Sequence, residues 1–100
     1  MRLSSEQIVI IKNTVTSLLG DQRVKVSLFG SRLDDGAKGG DIDLFIETST
    51  SQVNRASMAS KIMASLQIQL GDQHIDVLLV DPATPFQPIH NHAKQQGVVL

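Results

Sequence analysis

One hundred residues suffice for one domain around one apolar core, and a single domain rather than a two-domain enzyme is expected. A formal charge of −1 without Trp or Tyr offers neither a basic stripe nor aromatic platforms for a polynucleotide, so long nucleic acid is not an expected partner. With no Cys there can be no disulfide, thiolate metal site or thiol nucleophile, and 41% apolar against 19% charged residues is the composition of an ordinary folded globule.

Ser4 is placed to cap a helix with Gln7 reaching back to it, and Ile8, Ile11, Val15, Leu18 and Leu19 recur at helical spacing until Gly20. Val24 to Phe29 is apolar and β-branched and predicts a first strand, closed by the turn residues Gly30-Ser31. Arg32 to Gly40 mixes charges with glycines and reads as a loop or a short irregular helical turn. Asp41 to Glu47 alternates as a second strand, with Ile42, Leu44 and Ile46 on one face and Asp41, Asp43, Phe45 and Glu47 on the other. Thr50 or Ser51 is the expected cap of a second helix whose apolar face is Met58, Ile62, Leu66 and Leu70, ending at Gly71. His74 to Val80 predicts a third strand, placing Ile75, Val77 and Leu79 opposite His74, Asp76 and Leu78, and Asp81-Pro82 ends it. Phe86 to Gln96 is expected as a short last helix, and Val98, Val99 and Leu100, like Met58 and Met63, are expected to join the core rather than an apolar patch for a partner.

This order predicts an α/β or α+β fold over residues 1–100, a small mixed sheet with helices packed on one face. The first two strands are expected antiparallel across the glycine loop, and the third returns through the second helix. Met1–Gln7 lacks the basic and apolar pattern of a secretory signal, and no apolar run approaches the roughly 18 residues of a membrane span, so a cytoplasmic protein is expected.

The chemistry-bearing pattern is acidic. Asp41 and Asp43 are two residues apart on a strand, so their carboxylates project from the same face, roughly 6.5–7 Å apart along it. Oxygen donors of this kind suit Mg²⁺ or Mn²⁺, which complete their shells with water and substrate phosphates. Asp76 holds an equivalent position on the third strand and joins the pair if the strands are neighbours, forming a site for two ions beside a bound nucleotide. Gly30-Ser31 lets phosphate approach the backbone and offers hydroxyl and N–H donors; Arg32 adds a planar cation, and Lys38 is a weaker candidate for the same task.

The run VSLFGSRLDDGAKGGDIDLFIE, Val26 to Glu47, with the later HIDVLLV, resembles the signature of the polymerase-β-type nucleotidyltransferase superfamily, and most closely its minimal members. The resemblance implies that Gly30, Ser31 and Arg32 bind a nucleoside triphosphate, such as ATP. Asp41, Asp43 and Asp76 would hold Mg²⁺ or Mn²⁺, and Asp76 would help deprotonate an acceptor hydroxyl. It further implies transfer of AMP, often by an antitoxin onto a co-encoded helical HEPN-type toxin. The nine-residue spacer between Ser31 and Asp41, and Gly40 where serine is common, depart from the family pattern without removing a metal ligand.

A lone Asp-x-Asp on an alternating strand is usually a solvated face, so the enzymatic reading rests on the conjunction of the two motifs with Asp76. The alternative is a binding module that neutralises a helical partner by contact. Antibiotic adenylylation is disfavoured for lack of a drug-holding domain. Homo- and hetero-oligomers are both compatible with the sequence. Glu47, Asp34 and Asp35 read as solvated acids. His74 shares the Asp76 face but reads first as an ordinary surface or hydrogen-bonded histidine, His90 and His92 receive no role, and Lys61 is by default a solvated lysine.

Overall fold

The computed structural model describes residues 3–20, 23–29, 42–71, 74–83 and 97–100. The capping box at Ser4 is formed. Ser4 Oγ accepts the Gln7 N–H at 3.1 Å, and Gln7 Oε1 accepts the Ser4 N–H at 2.9 Å. Helix α1 (Ser5–Leu19) therefore begins with two of its otherwise unsatisfied donors paired. It ends at Gly20, whose φ of 63° is left-handed and costly for a residue bearing a Cβ.

Helix α2 (Arg55–Leu70) starts later than its predicted cap. Asn54, not Thr50 or Ser51, is the cap, its Oδ1 accepting the Ser57 N–H at 3.0 Å. The preceding segment is held out of the helix by other acceptors: Thr48 Oγ1 takes the Thr50 N–H at 3.1 Å, and Asp81 Oδ2 takes the Gln52 N–H at 2.8 Å. Asp81 is buried, and its other oxygen accepts the Ala83 N–H at 3.1 Å, with Arg55 Nε 3.9 Å away. Asp81→Ala strands two backbone donors and is expected to cost about 2–3 kcal/mol, read as a lower urea midpoint at unchanged slope.

Strands β1 (Lys25–Phe29), β2 (Ile42–Glu47), β3 (Ile75–Val80) and β4 (Val98–Val99) form one mixed sheet in the order β3-β2-β1-β4. β1 is antiparallel to both β2 and β4, whereas β2 and β3 run parallel, as the intervening α2 requires. Alternation then sorts the side chains. Val26, Leu28, Ile42, Leu44, Ile46, Ile75 and Leu79 join Ile11, Val15 and Leu19 of α1 and Ile62 and Leu66 of α2 in one buried cluster, so both helices cover the same sheet face. On the opposite face Phe45, 1% exposed, and Ser27 are also buried, although Phe45 shares its face with the acids of β2.

One expectation about the margins needs correction. Val98 and Val99 are not core: they pair with Leu28 and Ser27 at the sheet edge and remain 44% and 56% exposed. Backbone pairing holds them there, and an edge strand leaves its side chains partly in solvent. Leu100, its N–H bonded to Val26 O at 2.9 Å, does pack against the core, as do Met58 and Met63. The predicted last helix, Phe86 to Gln96, and the loop Arg32 to Gly40 lie outside the described residues. Among the described residues, no helix is long and apolar enough to cross a membrane.

Candidate functional site

β2 buries Ile42, Leu44 and Ile46 under the helices, and this commits Asp43 to the other face of the sheet. The same constraint acts on β3, where burial of Ile75 and Leu79 turns Asp76 away from the core. Register brings the two together. Asp43 lies directly opposite Asp76 in the parallel β2–β3 pair and opposite Phe29 in the antiparallel β1–β2 pair. Neighbouring strands are about 4.8 Å apart, so two carboxylates from distant parts of the chain share one spot on one face. Phe29, the last residue of β1, stands at the same level as the acidic pair.

Asp43 is half-buried, whereas the Asp76 side chain is 60% exposed. Asp76 is not isolated. Its Oδ1 lies 3.1 Å from His74 Nε2, and because a carboxylate only accepts, Nε2 must carry the donated proton. The backbone beneath this contact is fixed as well, the His74 carbonyl accepting the Ile42 N–H at 2.9 Å. His74 is thus a hydrogen-bonded surface histidine on the Asp76 face, as its two-residue spacing from Asp76 on a strand leads one to expect.

Like charges at directly opposed sheet positions are unfavourable, and a divalent cation between them removes the penalty. The donor set is two carboxylates, hard oxygen ligands that fit Mg²⁺ or Mn²⁺ rather than zinc or copper. Among the described residues no group of three or more His, Cys, Asp or Glu is arranged to hold a metal. Asp41, the third ligand expected from sequence, lies outside the described residues, as do Gly30, Ser31, Arg32 and Lys38.

Two charged residues read as solvated stand elsewhere. Glu47 lies at the far end of β2, opposite Lys25 across the β1–β2 pair, with Lys25 Nζ 3.8 Å from its carboxylate. Lys61 is exposed on α2, which packs on the sheet face opposite the acidic pair, in keeping with a solvated lysine. An open groove of about 630 Å³ between the start of α2 and β3 is lined by Arg55, Val77, Leu79 and Asp81, and neither Asp43 nor Asp76 reaches it. Compared with known proteins, the chain matches no protein-family model and no curated protein.

Proposed function

We propose that this chain is a Mg²⁺- or Mn²⁺-dependent nucleotidyltransferase with a polymerase-β-type core, transferring a nucleoside monophosphate from a triphosphate, ATP first among candidates, to an acceptor hydroxyl. The observation that carries the proposal is the register: Asp43 and Asp76 occupy opposed positions on neighbouring strands, at the level where β1 ends. Asp43 and Asp76, together with Asp41 two residues earlier in the chain, would hold the metal. The bound ion supplies charge neutralisation at the reacting phosphate and lowers the pKa of an oxygen it binds. Asp76, the more exposed carboxylate, is open to an approaching hydroxyl and is the group to accept its proton. By the sequence resemblance, Gly30, Ser31 and Arg32 grip the triphosphate.

The same resemblance makes a co-encoded helical HEPN-type protein the first acceptor to try. Incubation with α-labelled ATP, Mg²⁺ and that partner is expected to label the partner, and the label should vanish with Asp43→Ala or Asp76→Ala. Equal labelling by wild type and both variants would falsify the proposal. The alternative reading of the sequence is a module that neutralises a helical partner by contact alone. It prevails if the doubly substituted chain neither labels the partner nor loses the ability to neutralise it in cells.

A further inference from the structure

The pair His74–Asp76 is exposed, with side chains 61% and 60% accessible, and an exposed pair of this kind contributes little to folding. It nonetheless has a definite geometry. Residues two apart on a strand project from the same face, and both ends of the contact rest on ladder backbone: the His74 carbonyl accepts the Ile42 N–H, and Asp76 is paired in register with Asp43. The donated Nε2–H engages Oδ1 of Asp76. Oδ2 is then the oxygen left to face a ligand, and rotation of an otherwise solvent-exposed carboxylate is restrained.

We propose that His74 is a positioning residue for Asp76, holding that carboxylate so that it meets a divalent cation shared with Asp43 through one oxygen. The inference rests on the metal-binding reading of the acidic pair. Partners that orient a ligating side chain commonly change metal affinity by about 10–100-fold when removed, and the exposure of this pair places His74 at the lower end of that range. His74 acts through Asp76 and need not touch substrate.

The test is Mn²⁺ binding to the intact chain with a non-hydrolysable ATP analogue, followed by electron paramagnetic resonance, together with the melting temperature of each metal-free variant. His74→Ala is expected to weaken Mn²⁺ about tenfold while leaving the melting temperature near that of wild type. His74→Gln, whose amide nitrogen can take the place of Nε2 as donor, is expected to restore most of the affinity. Unchanged affinity in His74→Ala, or a His74→Gln variant as weak as His74→Ala, overturns the positioning role and leaves the metal site standing. Wild-type binding that Asp43→Ala does not weaken overturns the metal-site reading, and the role of His74 with it.

Discussion

Under the proposed transferase function, replacing Asp43 with alanine is expected to lower nucleotide transfer by about a thousandfold, and Asp76→Ala by a similar factor. A ligand that holds the cation in place underwrites several kcal/mol of charge stabilisation in the transition state, and about 4 kcal/mol corresponds to three decades in rate. The loss should appear in kcat as well as kcat/KM, because the interaction is made most strongly as charge develops. A second readout needs no substrate. Wild-type protein in Mn²⁺ at ten times its dissociation constant gains about 1.4 kcal/mol, or roughly 5–10 °C in melting temperature for a chain of this size. Both alanine variants should fold and show almost none of that shift. A variant that keeps the full shift removes its aspartate from the metal site.

The second large effect concerns the platform on which the acids stand. Leu44 is fully buried at the middle of β2, with Leu28 opposite it on one side and Val77 on the other. It is also the residue next to Asp43, so the packing that buries Leu44 is what turns Asp43 outward. Leu44→Ala removes buried methyl groups and leaves a cavity, at a cost of about 2–5 kcal/mol. A chain of this size has a total stability of roughly 5–15 kcal/mol, so at mid-range the substitution should take away about a third of it. The urea midpoint is expected to fall accordingly, whereas Leu44→Met, which nearly conserves volume, should cost less than about 1.5 kcal/mol. Equal midpoints for the two variants would show that Leu44 is not packed as described.

Most of this framework was legible in the residues. The Ser4 and Gln7 box, the Gly20 stop and the alternation of β2 and β3 are local signals, and local chemistry decides them. The facing of Asp43 and Asp76 was legible as a condition: the alternation put each on the face away from the core, and only the choice of β3 as the neighbour of β2 was needed to bring them together. What escaped depends on partners far along the chain. The start of α2 shifts to Asn54 because Asp81, 29 residues away from Gln52, claims its N–H, a contact that no window around Thr50 contains. Burial of Phe45 on the acidic face likewise follows from tertiary structure, since alternation alone groups it with Asp43 and Glu47. Val98 and Val99 are apolar enough for a core, yet pairing with β1 puts them at an edge.

Asp81 provides an internal control for the acidic pair. It is a buried carboxylate just beyond the last residue of β3, five positions from Asp76 and therefore about 16 Å away along an extended strand. Titrating Mn²⁺ and an ATP analogue into isotope-labelled protein, and recording paramagnetic broadening of each backbone amide, locates the ion directly. Broadening should begin at Asp43 and Asp76 together, at the lowest Mn²⁺ added, while Gln52 and Ala83, which bond to Asp81, stay sharp. Broadening that starts around Asp81, or that reaches Asp43 and Asp76 at different Mn²⁺ concentrations, would mean that the two opposed aspartates do not hold one ion between them.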